Sequence, residues 1–205
     1  MGKPVGSGHL PSLDAGGSAG LRLFAAVDVP AVQRASVETA TAPLKNALAG
    51  ARWTSPETWH VTLKFFGEVP EERLPALREG IRRAAAGVPA TMSRLTDLGA
   101  FPSMKRARVL WVGIEDPRGS LGALADRIGA ECGVEEDRPL HPHLTLARLK
   151  VPAAIGPVVD RFRPFELNRA PFGIDRVVLF RSFTGRSGSR YEELAAWELS
   201  TAEGL

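Results

Sequence analysis

The segment HVTLKFFGEVP at His60–Pro70 returns in altered form as HLTLARLKVP at His143–Pro152, 83 residues further along the chain. Both segments open with His-x-Thr-Leu, and in both a polar residue alternates with an aliphatic one, as it does in a half-buried β-strand. Each segment ends at a proline, which is typical of a strand that runs into a turn. The two segments therefore predict a pair of related strands, one in each half of the chain.

A second pair of segments repeats in the same order. LRLFAAVDVP at Leu21–Pro30 aligns with RVLWVGIEDP at Arg108–Pro117 at an offset of 87 residues, which places Phe24 on Trp111. Patterns typical of helices follow the four segments, at residues 32–48, 74–81, 121–132 and 153–162. We expect Pro43 to kink or interrupt the first of these helices. Further strands are predicted at 94–101, 165–168, 174–182 and 191–199. The order strand, helix, strand, helix thus occurs twice, which predicts two similar lobes.

Composition excludes several classes of protein. The chain has 205 residues, of which 44% are hydrophobic and 24% charged, as in ordinary globular proteins. No run of about 18 apolar residues occurs, so no transmembrane helix is expected. Cys132 is the single cysteine, which excludes an intramolecular disulfide and any zinc site with two or more thiolates. A reducing, cytoplasmic setting is the expectation that follows.

The beginning of the chain differs in composition from the rest. Met1–Gly20 is rich in Gly, Ser and Pro, and it has neither the basic start nor the apolar stretch of a signal peptide. We interpret this segment as a flexible tail. Residues 21–205 are expected to form a single bilobal domain.

Positive charge is concentrated in the second half of the chain. The formal net charge is only +3, but between Arg138 and Arg190 there are ten Lys or Arg residues against three acidic ones. This excess either attracts a phosphate-bearing ligand or forms a solvated basic surface. Charge alone does not separate the two interpretations.

The residues of the repeated strands point to acid–base chemistry. His60 and Thr62 lie two residues apart and share one face of a strand, and His143 and Thr145 do the same. If the lobes pack about a pseudo-twofold axis, both pairs converge on one groove. Imidazole titrates near pH 6.5, so at neutral pH one ring acts as a base and the other as an acid. Threonine hydroxyls and arginine donate hydrogen bonds to phosphate, so the set suits a strained cyclic phosphodiester.

The paired His-x-Thr-Leu strands resemble those of the two-histidine (2H) phosphoesterase superfamily, in particular the RNA 2′,3′-cyclic phosphodiesterases first named 2′-5′ RNA ligases. The resemblance extends from Leu21 to Leu199. Its further segments are GAFPSMKRARVLWVGI (Gly99–Ile114), RPLHPHLTLAR (Arg138–Arg148), VLFRSF (Val178–Phe183) and YEELAAWEL (Tyr191–Leu199). The resemblance implies an α+β, bilobal duplicated fold, in which an antiparallel sheet in each lobe lines a central groove and the helices lie outside.

The resemblance also implies an activity and a set of site residues. The activity is hydrolysis of RNA 2′,3′-cyclic phosphate ends to 2′-phosphate ends, without a metal or other cofactor. His60 would be the proton donor to the departing 3′ oxygen, and His143 the proton acceptor that activates water. Thr62 and Thr145 would hold phosphate oxygens, and Arg148 would contact the phosphate or ribose. The expected partner is RNA with such an end or a small cyclic nucleotide, and the protein is expected to be a monomer that binds no membrane.

Four residues have more than one interpretation. Arg148 follows His143 by five residues, an odd number, so it shares the face of His143 only if a bulge or strand end redirects it. Phe24 either stacks on a nucleobase or packs in the core, whereas Trp111 is expected in the core. His141 adds a third imidazole and raises the alternative of a metal site, although no acidic residue in its segment completes a ligand set.

Two other functions stay open at the level of sequence. One is a 2H enzyme that acts on another cyclic or 2′-5′ phosphodiester, including 2′-5′ RNA ligation. The other is a non-catalytic module that binds RNA ends. His60→Ala and His143→Ala separate these classes, because an enzyme loses about 10² or more in turnover while it still binds.

Overall fold

The computed structural model describes residues 20–134, 138–162, 167–185 and 188–200, without the side chain of Thr184. The tail predicted at Met1–Gly20 therefore lies outside the described residues, apart from Gly20. The strand predicted at 165–168 lies half outside them, and its two described residues, Leu167 and Asn168, belong to no strand. Leu167 instead packs into the core from a loop.

Within the described residues the chain forms ten β-strands and four α-helices. In chain order they are β1 (Leu21–Asp28), α1 (Ala31–Ala47), β2 (Ala51–Trp53), β3 (His60–Val69), α2 (Leu74–Ala85), β4 (Thr91–Ser93), β5 (Leu95–Phe101), β6 (Ala107–Ile114), α3 (Ser120–Cys132), β7 (His143–Ala153), α4 (Gly156–Arg161), β8 (Phe172–Ile174), β9 (Arg176–Gly185) and β10 (Gly188–Glu198). The predicted α+β class is confirmed, and so are the four helices, with ends shifted by a few residues.

The strands form two four-stranded antiparallel sheets and one two-stranded sheet. The first sheet has the order β10-β9-β1-β3 and the second has the order β2-β7-β6-β5, while β4 pairs with β8. In each sheet the two strands with the repeated motifs are neighbours. The other two strands of each sheet come from the other half of the chain, since β9 and β10 join the first sheet and β2 and β5 join the second. The two halves therefore exchange strands instead of folding as separate repeats.

Helices α2 and α3 pack against each other, and α3 also contacts β3. Their buried residues follow the helical period, with Leu77 and Ile81 on α2 and Leu121, Leu124 and Ile128 on α3. Burial of such a side chain contributes about 1.5–3 kcal/mol to stability. The helices thus supply one side of the core.

Helix α1 continues through Pro43, so the predicted interruption does not occur. Proline removes one hydrogen bond from a helix and crowds the preceding turn. On either side of Pro43, however, α1 buries Val37, Thr41 and Leu44, and the Thr41 hydroxyl donates to the Val37 carbonyl at 2.7 Å. This buried face holds the helix together across the proline.

The first histidine strand contains a β-bulge. In the ladder between β1 and β3, Ala26 pairs with Thr62 but Ala25 pairs with Lys64, so Leu63 is an extra residue in β3. An extra residue in one strand turns the side chains that follow it to the opposite face.

The second histidine strand contains the same bulge at the same place. In the ladder between β6 and β7, Trp111 pairs with Thr145 and Leu110 pairs with Ala147, so Leu146 is the extra residue. The first six residues of β3 and of β7 consequently have the same burial pattern. The first, third and sixth residue are partly or fully exposed, and these are His60, Thr62 and Phe65 in β3 and His143, Thr145 and Arg148 in β7.

The register of the two sheets corrects the alignment of the repeats. Strands β3 and β7 correspond at an offset of 83, and their partners in β1 and β6 correspond at 85 instead of 87. Phe24 therefore corresponds to Val109, and Trp111 corresponds to Ala26. The offset of 87 had aligned Pro30 after β1 with Pro117 after β6. The stretch between the cross-strand partner of the histidine and this proline is, however, two residues longer after β6 than after β1.

Candidate active site

His60 opens β3 and lies in a cluster of aromatic rings. Its imidazole stacks on Phe24, with ring centroids 4.7 Å apart and an angle of 27° between the planes. The edge of Tyr191 from β10 lies at 5.0 Å and the ring of Phe180 from β9 at 5.9 Å. The ring also forms a hydrogen bond with the backbone of Thr58, two residues earlier. These contacts fix the orientation of the imidazole.

His143 opens β7 and is anchored in the same way. Its Nδ1 lies 2.6 Å from the carbonyl oxygen of His141, which is also two residues earlier. Since a carbonyl only accepts, Nδ1 carries the proton, and Nε2 is the ring nitrogen left for chemistry. Phe101 meets the ring edge-on at 5.0 Å, and Trp111 lies at 6.0 Å. Both predicted acid–base residues are thus held rigidly by backbone and by aromatic neighbours.

Burial dominates the proton affinity of both rings. Desolvation lowers the pKa of His60 from its ordinary value of 6.5 to about 4, although the Thr58 backbone and the charge of Asp28 oppose the shift. Burial also lowers the pKa of His143, and the nearby positive charges of His141 and Arg148 act in the same direction. The charge of His143 contributes to the lowered pKa of His60. Strands β3 and β7 contact each other, and the charge of His143 reaches His60, so the two imidazoles lie near each other.

The two histidines face different residues on the neighbouring strand. Asp28 is the cross-strand partner of His60, and its carboxylate accepts hydrogen bonds from Arg176 Nη2 at 2.6 Å and Nε at 3.0 Å. The corresponding partner of His143 is Gly113. A side chain at Gly113 would overlap the hydroxyl of Thr96, so none fits there. Of these two cross-strand partners, only that of His60 is a carboxylate.

Thr62 and Thr145 lie on the same faces as the two histidines. Both are partly exposed, and in the part of the chain that the structure describes neither hydroxyl has a hydrogen-bond partner. Both hydroxyls are therefore available as donors. Arg148 also lies on the histidine face, because the bulge at Leu146 reverses its direction. The sequence allowed Arg148 to share the face of His143 only if a bulge or a strand end intervened, and the structure contains that bulge.

Phe65 is a site residue that the sequence did not single out. It occupies in β3 the position of Arg148 in β7, and the bulge turns it to the face of His60. It is 53% exposed, and its ring lies 5.7 Å from that of Phe24. The signal in the sequence was that Phe65 and Arg148 occupy the same position in the two repeated segments. This match indicates a site residue only when the bulge in each strand is known.

The structure decides between the two interpretations of Phe24 and corrects the one expected for Trp111. Phe24 is 1% exposed and lies beneath His60, so it has no open face on which a nucleobase could stack. Trp111 is not in the buried core: it is half-buried, and its indole lies over Gly99 and beside His141 at 4.7 Å.

The structure does not support the metal site that His141 raised as an alternative. Among the described residues, no group of three or more His, Cys, Asp or Glu side chains is arranged to hold a metal ion. The ring of His141 packs against Phe101 and Trp111, at 5.5 and 4.7 Å. Its backbone carbonyl, by contrast, anchors His143.

A separate cleft of about 470 Å³ lies between the end of β3, α2 and the end of α3. Its lining includes Phe66, Leu77 and Cys132 but neither histidine of the β3 and β7 motifs. Burial raises the pKa of the Cys132 thiol to about 11, so at neutral pH the thiol is protonated and a poor nucleophile.

No helix in the described ranges has the length and apolar character needed to cross a membrane.

Comparison with known sequences identifies relatives over most of the chain. The family model "LigT like Phosphoesterase" matches residues 27–111 and 112–191. The RNA 2′,3′-cyclic phosphodiesterase of Methanothermobacter thermautotrophicus is 30% identical over 184 residues, which are 87% of this chain and 99% of that protein. The protein of the same name from Escherichia coli K12 is 30% identical over 183 residues, which are 87% of this chain and 97% of the relative.

Solved structures show the same fold. The crystal structure of E. coli LigT in its apo form superposes with a TM-score of 0.70 at 28% identity, covering 90% of this chain and 100% of LigT. LigT complexed with 3′-AMP gives a TM-score of 0.68 at 27% identity with the same coverage. The predicted arrangement of two lobes is confirmed by this similarity.

Proposed function

Because this chain belongs to the LigT-like phosphoesterase family, we propose that it hydrolyses 2′,3′-cyclic phosphodiester ends of RNA to 2′-phosphate ends. The observation that carries the proposal is the pair of His-x-Thr strands, each opened by an imidazole anchored to the backbone two residues earlier. Relatives that span nearly the whole chain are named RNA 2′,3′-cyclic phosphodiesterase, which supports the same reaction.

In the proposed reaction His143 is the proton acceptor and His60 the proton donor. His143 Nε2 takes a proton from water as the water oxygen forms a bond to phosphorus. The bond from phosphorus to the 3′ oxygen breaks, and His60 protonates that oxygen. The products are a 2′-phosphate and a free 3′-hydroxyl, and exchange with solvent then restores the starting protonation of both rings.

The charged groups beside the two rings favour this assignment of acid and base, whereas burial opposes it at His60. A protonated ring is favoured at His60 by the carboxylate of Asp28 and disfavoured at His143 by the positive charge of Arg148. Burial nevertheless keeps His60 neutral in the free protein at pH 7, since its pKa is about 4. We therefore assign to the anionic phosphodiester a second role, in which its charge raises the proton affinity of His60 on binding.

The remaining groups of the site bind the substrate. The hydroxyls of Thr62 and Thr145 donate to phosphate oxygens, and Arg148 contributes a positive charge beside them. Phe65 replaces Phe24 as the residue on which a nucleobase stacks, because it offers an exposed aromatic ring on the face of β3 that carries His60. The substrates are RNA with a 2′,3′-cyclic end or a small cyclic nucleotide, and E. coli LigT has been crystallised with the nucleotide 3′-AMP.

We also place the protein in the cytoplasm as a monomer that needs no cofactor. The single cysteine fits a reducing compartment, and the proposed proton transfers use only side chains of this chain. Sedimentation of the purified protein tests the monomeric state.

The test of the proposal is incubation of the protein with a 2′,3′-cyclic mononucleotide and with a short oligoribonucleotide that ends in the cyclic phosphate. A chelator is present, and the products are identified by NMR. We expect a 2′-phosphate, and a loss of about 10² or more in turnover in His60→Ala and in His143→Ala with substrate binding retained.

Each other outcome points elsewhere. A 3′-phosphate product would reverse the leaving oxygen, and dependence on a metal would contradict the proposed proton transfers. Binding without turnover would indicate a module for RNA ends. Turnover only of 2′-5′ linkages or other cyclic phosphates would assign another substrate to the same residues.

A further inference from the structure

Strand β2 brings a second arginine to the face that carries Arg148. In the ladder between β2 and β7, Arg52 lies directly opposite Arg148, and directly opposite residues of an antiparallel pair share one face. Ala51 and Trp53 are partly buried against the core, so Arg52 between them points away from it. The two arginines therefore lie side by side on the face of the second sheet that carries His143.

This arrangement has an electrostatic cost that no ion pair among the described residues offsets. Like charges directly opposite each other destabilise an antiparallel pair. In the ranges that the structure describes, neither guanidinium forms an ion pair with a carboxylate. Two adjacent positive charges without a counter-charge are an arrangement that an anion stabilises.

Arg52 is nevertheless held in a defined position. Its Nη2 donates to the carbonyl oxygen of Gly185 at 3.1 Å. Gly185 ends β9, which belongs to the first sheet, so Arg52 reaches from the second sheet to the first. The hydrogen bond orients the guanidinium without neutralising it, because a carbonyl carries no charge.

We propose that Arg52, beside Arg148, binds the phosphodiester that lies one nucleotide upstream of the cyclic end of an RNA chain. The inference rests on the proposed function. Strands rise about 3.3 Å per residue and lie about 4.8 Å apart, so Arg148 is the nearer and Arg52 the more distant of the two from His143. A phosphate held between the histidines engages Arg148 first, and Arg52 meets the next phosphate along the strand. Guanidinium groups suit this role because they bind phosphate through parallel N–H donors.

This subsite separates two classes of substrate. A cyclic mononucleotide has no upstream phosphate and gains nothing from Arg52, whereas an oligoribonucleotide gains a charged contact. The experiment therefore compares kcat/KM for a cyclic mononucleotide with kcat/KM for a trinucleotide that ends in the same cyclic base. The ratio of the two values is measured in wild type, Arg52→Gln and Arg52→Lys.

We expect Arg52→Gln to lower the ratio of trinucleotide to mononucleotide kcat/KM by about tenfold, which is the size of one charged hydrogen bond. The dependence of log kcat/KM on log salt for the trinucleotide should lose about one unit of slope. Arg52→Lys keeps the charge and should restore most of the ratio. The matched control is Arg127→Gln, since Arg127 also donates to backbone carbonyls but lies on α3.

An unchanged ratio in Arg52→Gln would overturn the inference and leave the proposed function intact. Equal losses on both substrates would also overturn it, because Arg52 would then act at the reaction centre or in folding. If wild type hydrolysed neither substrate, the proposed function would fail. The subsite would then be judged by fluorescence anisotropy, in which Arg52→Gln must weaken binding of the trinucleotide about tenfold.

Discussion

The buried imidazole of His60 makes the stability of the protein depend on pH. In the folded protein its pKa is lowered to about 4, and in the unfolded chain it returns to 6.5. Between these values the unfolded chain binds a proton that the folded protein does not, so acid favours unfolding. The contribution of His60 is fully present above pH 6.5 and is lost as the pH falls towards 4.

The size of the effect follows from the difference between the two pKa values. A shift from 6.5 to about 4 corresponds to about 3 kcal/mol in total, at about 1.4 kcal/mol per unit. Between pH 7.5 and pH 5 the loss amounts to about 2 kcal/mol, because most of the folded molecules are still unprotonated at pH 5. The lowered pKa of His143 adds to the loss in the same direction.

The perturbation is His60→Gln, which replaces the imidazole by a side chain that does not titrate. Urea unfolding followed by tryptophan fluorescence gives the free energy of unfolding of both proteins at pH 7.5, 6 and 5. Wild type should lose about 2 kcal/mol more than His60→Gln between the first and the last pH. Any constant cost of the substitution cancels in this difference, and so do groups that titrate in both proteins. Parallel losses in the two proteins, within about 0.5 kcal/mol, would refute the reasoning.

Two further predictions concern the surroundings of His60. Asp28→Asn should lower the pKa of the His60 ring and Arg176→Gln should raise it, each by about half a unit to one unit, as measured by NMR titration. If the ion pair between Asp28 and Arg176 had only a structural role, the two substitutions would not shift the pKa of His60 in opposite directions. Phe65→Ala should raise KM for a cyclic mononucleotide about tenfold with kcat nearly unchanged, because stacking of a base contributes about 1–3 kcal/mol. An unaltered KM would exclude Phe65 from base binding.

Both predictions have matched controls in the chain. Asp97 and Arg169 form an ion pair with the same separation of 2.6 Å, but Asp97 is 76% exposed on β5. Asp97→Asn should therefore leave the titration of His60 as it is in wild type. Val151 is an exposed apolar residue of β7 beyond Arg148, at 74% exposure. Val151→Ala should leave KM as it is in wild type.

Local pattern was enough for the four helices and for the two His-x-Thr faces. Alternation places residues two apart on one side of any strand, so His60 with Thr62 and His143 with Thr145 needed no knowledge of neighbouring strands. The helical period likewise located the buried faces of α2 and α3. Such rules depend on residues within a few positions of each other.

Other features depend on contacts that are distant in sequence. The alignment of the repeats was wrong because it followed the prolines and not the cross-strand pairs. The core position expected for Trp111 was also wrong, and only the packed structure decided that Phe24 is buried. Asp28 gained its importance only from its pairing with His60. Arg52 became notable only when β2 joined the second sheet at its edge.

The sequence by itself determined the helices, the repeat of two strands, and the two histidines with their threonines, because periodicity and residue type are local properties. Its resemblance to a known family supplied the fold class. The tertiary structure alone decided which side Phe65 and Arg148 face, since both depend on a bulge that exists only in a paired ladder. It also decided that the two halves exchange strands and that a carboxylate faces His60 while a glycine faces His143. Register between strands is set by packing across the whole sheet, and no short segment of the chain contains that information.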